Sequence, residues 1–217
     1  MRKKEDLILK LPLYFAIYGL FIFLGITLLA YFGKDNLHIY FNKFHTQNFD
    51  LFFKYYTNIS INFVLIFLIM YIFLKRTWYE MTLLLVSYGL SSLINTIIKR
   101  GFFKDVHRPT YYFEMKNVKL HLVEGVQNQI PYTFPSGHCI NAFIFFAVLC
   151  VVFKNKWLQI PLAILAILVA ISRVYLSKHF VLDAIGGSFL GMFIFILVYY
   201  FLQIYRHPFF EKRCNTK

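Results

Sequence analysis

Negative charge is what this chain has least of. Ten Asp and Glu stand against 23 Lys and Arg in 217 residues, and charged residues of both signs make up only 15% of the sequence, well below the ~25% usual for a soluble chain. With 59% of residues hydrophobic and 21% aromatic, that scarcity excludes an ordinary water-soluble domain, a disordered tail and a charge-laced coiled coil. Cysteine is sparse as well. Cys139, Cys150 and Cys214 are odd in number and unrelated in spacing, which leaves neither a disulfide framework nor a C-x-x-C metal site. Internal repeats and low-complexity tracts are also missing.

What the chain does have is six charge-poor apolar runs: Leu11 to Gly33, Tyr55 to Leu74, Met81 to Ile98, Cys139 to Phe153, Trp157 to Ser172, and Ala184 to Tyr205. A hydrocarbon layer of ~30 Å takes ~20 helical residues. The fourth and fifth runs reach that length only by starting at Ser136 and continuing to Leu176, which draws His138 and Arg173 into the membrane edge. Polar groups at such depth are costly and point to a functional site. The expected fold is therefore an all-α membrane protein, six transmembrane helices in a compact bundle, forming one domain over residues 1–217. Despite its basic start, the first run is too long for a signal-peptide core and lacks a small-x-small cleavage site, so it reads as an uncleaved span.

The formal net charge of +13 does not imply a nucleic-acid partner here, because the basic residues flank apolar runs and meet anionic lipid head groups. Once Lys99, Arg108 and Arg173 are set aside as ligand-binding groups, the cationic excess lies in the tails and in tight turns such as Lys75-Arg76 and Lys154-Asn155-Lys156. That places both termini in the cytoplasm. The opposite, extracytoplasmic face then carries Lys34 to Lys54, Lys99 to Gly137 and Ser177 to Leu182. Leu37, Tyr40, Phe41 and Phe44 follow helical spacing and predict a short helix lying in the interface. Gly187-x-x-x-Gly191 suits close helix packing.

Three polar clusters fall on that one face. The first runs Lys99 to Pro109 and ends in Arg108-Pro109. The second, Pro135-Ser136-Gly137-His138, opens the fourth span, where Pro and Ser suit a helix start and the free N–H groups attract an anion. In the third, Ser172-Arg173 is followed by His179 and Asp183, which are four residues apart, so in a helical turn the carboxylate can accept the proton of one imidazole nitrogen and leave the other as a lone pair. An imidazole held that way is what a nucleophile or general base needs. Guanidinium forks keep their charge and match phosphate oxygens, so the three clusters together make a tetrahedral oxyanion site with acid and base attached.

These motifs resemble the three signature motifs of the type 2 phosphatidic acid phosphatase superfamily, membrane lipid phosphatases that share a site with vanadium haloperoxidases. The resemblance covers Lys99 to Asp183 directly. It implies His179 as a nucleophile forming a phosphohistidine, Asp183 as its orienter, His138 as general acid, and Lys99, Arg108, Ser136, Gly137 and Arg173 as phosphate ligands, with no metal or other cofactor. The implied substrate is a membrane lipid phosphate at the outer face of a bacterial inner membrane, undecaprenyl pyrophosphate or phosphatidylglycerophosphate ahead of lipid A phosphate and phosphatidic acid; lipid phosphotransfer is the variant with an alcohol in place of water. One departure stands out: eight residues separate Lys99 from Arg108, more than the first motif usually has, so Arg100 and Lys104 compete with Lys99 for the cation's place.

The stretch from Thr110 to Phe134, with Tyr111, Tyr112, Phe113, Tyr132, Lys116, Lys119 and His121, suits either a headgroup-level lid or an inert cap. His107 reads as a surface residue, and His38, His45 and His207 as interfacial or tail residues with nothing to pair them. Two rival chemistries remain. His138, His179 and Asp183 match a two-His, one-carboxylate metal site, although nearby arginines would repel the metal. A cationic pocket also suits an anion transporter, although the span interiors offer Asn95, Ser87, Ser91 and Ser92 rather than charge.

Overall fold

The computed structural model describes residues 6–59, 62–126, 132–205 and 207–215. The basic start at residues 1–4 and residues 127–131 of the expected lid lie outside the described residues. In hydrocarbon a backbone must satisfy its own hydrogen bonds, so long apolar runs become helices. Among the described residues these are α1 (Leu7–Lys10), α2 (Pro12–Lys43), α3 (Gln47–Ile59), α4 (Asn62–Lys75), α5 (Trp78–Ile97), α6 (Pro109–Glu114), α7 (Gly137–Phe153), α8 (Gln159–Tyr175) and α9 (Val181–Ile204). A π-helical turn, Ile98–Phe102, extends α5.

Among the described residues three helices, α2, α5 with its extension, and α9, are long and apolar enough to cross a membrane, whereas Leu65–Lys75, α7 and α8 are apolar but shorter. The second expected span falls on α3 and α4, and residues 60–61 between them lie outside the described residues. The first runs on beyond its apolar stretch. Gly33 breaks α2 with φ 70° and ψ 167°, a backbone region nearly closed to residues with a Cβ. Beyond it lies the expected short helix, whose underside buries Leu37 and His38 while Tyr40 and Phe44 stay exposed.

α7 is the central helix: thirteen of its seventeen residues are buried, and it packs against α5, α8 and α9. Between helices in a bilayer, close van der Waals packing replaces the hydrophobic drive, and small residues permit it. Gly187 and Gly191 of α9 do so here. A Cβ on Gly187 would lie 2.5 Å from the Ser136 carbonyl oxygen, and one on Gly191 would lie 2.5 Å from that of Ile140. α9 therefore touches the backbone of the first turns of α7, and the start of each helix is fixed against the other.

One end of the bundle gathers both described chain ends. The Leu7 amide donates to the Tyr200 hydroxyl, Gln159 bonds the backbone at Lys10 and Leu13, and Trp78 and Cys214 pair with Lys212 and Arg76. The other end gathers the C-terminal ends of α5 and α8 and the N-terminal ends of α7 and α9. All three polar clusters lie there.

Three histidines expected to lack partners have them. His38 is fully buried, because the turn at Gly33 folds its helix over the bundle end; its Nε2 lies 3.2 Å from the Ser177 hydroxyl and its ring stacks on Phe113. His45 stacks on His121 with ring centroids 3.9 Å apart, and His121 in turn meets Asp50 at 2.8 Å. His207 accepts from the Phe209 amide. All these partners except that last one are distant in sequence, so no local pattern shows them.

Candidate active site

Asp183 organises the site. Its carboxylate accepts from the Phe180 amide at 2.8 Å, capping α9, and its backbone carbonyl accepts from the Ser136 amide at 3.1 Å, which ties the start of α7 to the start of α9. His179 lies just before α9 rather than within it. The carboxylate and imidazole are consequently 3.6 Å apart (Oδ2 to Nδ1), beyond the range of a good hydrogen bond, so the direct bond expected from their spacing is not formed. The Thr133 hydroxyl fills the gap: it donates to Asp183 Oδ2 and lies 3.3 Å from His179 Nδ1. All three residues are buried.

Burial pushes the His179 imidazole down to about 3, against the opposing pull of Asp183 and with help from Arg173 and Arg108. It is therefore neutral across the physiological range. With Nδ1 facing the Thr133 hydroxyl, the lone pair of the neutral ring sits on Nε2, a tautomer assigned from the hydrogen-bond pattern.

Around this imidazole the structure collects cations. Arg108, the residue before α6, donates from Nη1 to the Lys178 carbonyl at 3.3 Å, and burial lowers its pKa while Asp183 opposes the shift. Arg173, on the last turn of α8, is 3% exposed. It donates to the Thr57 hydroxyl at 2.9 Å, and its Nε is buried without a partner among the described residues. Lys99 lies in the π-helical turn, within electrostatic reach of Arg108, Arg173 and Asp183, whereas Arg100 and Lys104 are exposed. The longer first motif is thus taken up partly by an i→i+5 turn, closed by Phe103 N–H donating to the Ile98 carbonyl at 3.2 Å, and the turn leaves Lys99 facing the site.

His138, half-buried on the first turn of α7, lies within electrostatic reach of His179, Arg173, Lys178 and Arg108. Ser136 is the N-cap of α7, but its side chain makes no capping bond; among the described residues its buried hydroxyl has no partner, which leaves it available to a guest. Gly137 permits close approach, since a Cβ there would lie 3.0 Å from Asn95 Nδ2. Every site residue expected from sequence therefore falls in one cluster.

Four further residues were not singled out for this site from sequence. Thr133 and Thr57 are isolated hydroxyls in aromatic stretches and carry no signal. Asn95, its Oδ1 buried and unpartnered among the described residues, was visible as a polar residue in an apolar run. Lys178 stands directly before His179; burial, then Arg173 and Arg108, lower its pKa to about 8, so it is a further cation of the cluster. Among the described residues, no group of three His, Cys, Asp or Glu is placed to hold a metal ion. His107 packs its ring edge-on to Tyr111.

Of the aromatic stretch, Phe113 is buried and packs on Phe180, Phe134 packs on Phe103, and Lys116 bonds Asp35 at 2.7 Å. The described part of this stretch is thus anchored beside the loop that carries His179.

Residues 80–206 match the PAP2 superfamily. The chain is similar to a phosphatidylglycerophosphatase B of Bacillus subtilis (strain 168), 31% identical over 58% of this chain and 59% of the relative, so it spans about three fifths of that relative's length. It is 26% identical to a lipid A 4'-phosphatase of Bacteroides thetaiotaomicron, over 72% of this chain and 71% of the relative. Its fold is similar to that of Aquifex aeolicus LpxE, with a TM-score of 0.64 at 23% identity over 75% of this chain and 92% of the other.

Proposed function

The chain belongs to the PAP2 superfamily, and from that premise we propose that it hydrolyses the terminal phosphate of a membrane lipid through a phosphohistidine at His179. The observation that carries this reading is Arg173. A guanidinium 3% exposed, held by a neutral hydroxyl and with its Nε unpartnered among the described residues, is costly without an anion nearby. Among the described residues no carboxylate forms an ion pair with it. A phosphate supplies the missing charge, and Lys99, Arg108, the Ser136 hydroxyl and the N–H groups at the start of α7 complete its cradle.

Chemistry follows from the two imidazoles. The Nε2 lone pair of His179 attacks phosphorus in line, a P–N bond forms, and the bond to the lipid oxygen breaks as His138 protonates the departing oxygen. Water, deprotonated by His138, then attacks phosphorus; the P–N bond breaks, its electrons return to Nε2, and inorganic phosphate leaves. Cationic groups already in place stabilise the charge spread over the phosphoryl oxygens in both steps.

An apolar groove between α2 and α8, lined by Leu24, Leu28, Ile167, Ile171, Val174 and Ala184, reaches the residue next to Asp183 and supports a substrate that arrives laterally with its tail in the bilayer. The six-span bundle, cytoplasmic termini and extracytoplasmic site proposed here accord with the two chain ends gathering opposite the polar clusters. Phosphatidylglycerophosphate and undecaprenyl pyrophosphate are the favoured substrates. The Bacteroides relative favours lipid A phosphate as the second reading.

Purified protein in detergent, offered these lipids with and without EDTA, tests the proposal. Phosphate release from at least one of them, unchanged by EDTA and inhibited by vanadate, is expected. Loss of activity in EDTA with recovery on adding a divalent ion, or no release from any lipid phosphate, would overturn it.

A further inference from the structure

We propose that Thr133 is a positioning residue whose hydroxyl, rather than direct contact, carries the hydrogen bond between His179 and Asp183. The inference rests on His179 being the nucleophile. Thr133 is fully buried. Its backbone amide is fixed by the Val106 carbonyl at 3.2 Å, two residues from Arg108, so the hydroxyl is held between carboxylate and imidazole by the same loop that delivers a phosphate ligand.

The hydroxyl has one proton and can also accept, whereas an ionised carboxylate only accepts. Of the two ways to orient it, one aims the proton at His179 Nδ1 and sets two oxygen acceptors against each other at the Asp183 contact, which is repulsive. The other gives the proton to Asp183 Oδ2 and leaves the hydroxyl oxygen to accept from His179 Nδ1–H at 3.3 Å. Only the second is satisfied throughout. It fixes the proton on Nδ1 and the lone pair on Nε2, and it leaves Asp183 Oδ2 accepting from both Thr133 and the Phe180 amide. As the P–N bond forms and the imidazole gains positive charge, the polarised hydroxyl passes the influence of the carboxylate to the ring; linked bonds of this kind strengthen one another in a low-dielectric interior. No proton leaves Thr133 in either step.

A chain in which Asp183 touched His179 directly would need no hydroxyl here. At 3.6 Å the carboxylate alone holds the ring loosely, and the ring is free to turn or to take the wrong tautomer.

Thr133→Val, nearly equal in volume but without the hydroxyl, tests the inference by its effect on kcat and KM for whichever lipid phosphate is turned over. A fall in kcat of about 10- to 100-fold, the scale of one lost charge-assisted hydrogen bond, is expected with KM within about twofold, since Thr133 acts on the ring and not on the phosphate. Thr133→Ser restores most of the turnover. Thr133→Val added to Asp183→Asn costs little beyond Asp183→Asn alone, because both act on His179 through one chain of bonds. A fold defect would instead lower the thermal midpoint in detergent and would not discriminate Ser from Val; Thr133→Ala serves if the valine variant does not fold. Wild-type kcat in Thr133→Val, equal impairment of the serine variant, or additive losses in the double variant would overturn the inference. His179→Ala separates the two claims. If it is inactive while Thr133→Val is normal, only this inference fails; if it stays active, the reaction proposed above fails.

Discussion

His179→Ala is expected to lower turnover by about 10⁴-fold or more while leaving the protein folded, since losing a covalent nucleophile commonly removes that much or more. The side chain is buried and neutral, and among the described residues its partners are one hydroxyl and one carboxylate, so its removal releases no charge into an apolar interior. The helices that frame it are joined without it: the Ser136 amide still meets the Asp183 carbonyl, and Gly187 and Gly191 still seat α9 on α7. Hydrolysis of a lipid phosphate and thermal unfolding in detergent, measured on the same preparation, check both halves of the expectation. Retained turnover would remove His179 from the mechanism.

Arg173→Lys is expected to lower kcat by about 10²- to 10³-fold, the usual effect of deleting one donor aimed at transition-state charge. The exchange keeps the charge and loses the fork. A guanidinium anchored by one arm to Thr57 still presents Nε and its other amino group to the phosphoryl oxygens, whereas an ammonium that reaches Thr57 cannot also span two oxygens. Steady-state kinetics in detergent measure this. A variant within about threefold of wild type would show that Arg173 is structural and would remove the observation on which the functional reading rests.

Much of the fold was legible because hydrocarbon permits so few solutions. Apolar runs became helices, and α7 begins at Gly137 and α8 ends at Tyr175, near the extended limits expected from the shortfall of the fourth and fifth runs.

Within the site, the motif residues were legible by spacing, but their mutual contacts were not. His179 and Asp183 were expected to share a helical face, yet α9 starts after His179, so a hydroxyl brought from 46 residues away in the chain closes the gap. His38 joins Ser177 across 139 residues, and Arg173 joins Thr57 across 116. Contacts of this kind depend on which helix ends meet, and nothing local in the sequence encodes that. Likewise, spacing alone does not show the π-helical turn in which Lys99 lies.

In the proposed reaction phosphorus becomes bonded to His179 during turnover. Rapid quenching of the enzyme during hydrolysis of a phosphorus-labelled lipid phosphate, followed by peptide mapping under alkaline conditions, tests this most directly. A phosphoryl group on the peptide containing His179, stable to base and lost in acid as expected of a P–N bond, is the predicted result. Label on an oxygen-bearing side chain, or steady phosphate release with no labelled enzyme at any quench time and with His179→Ala equally active, would contradict it.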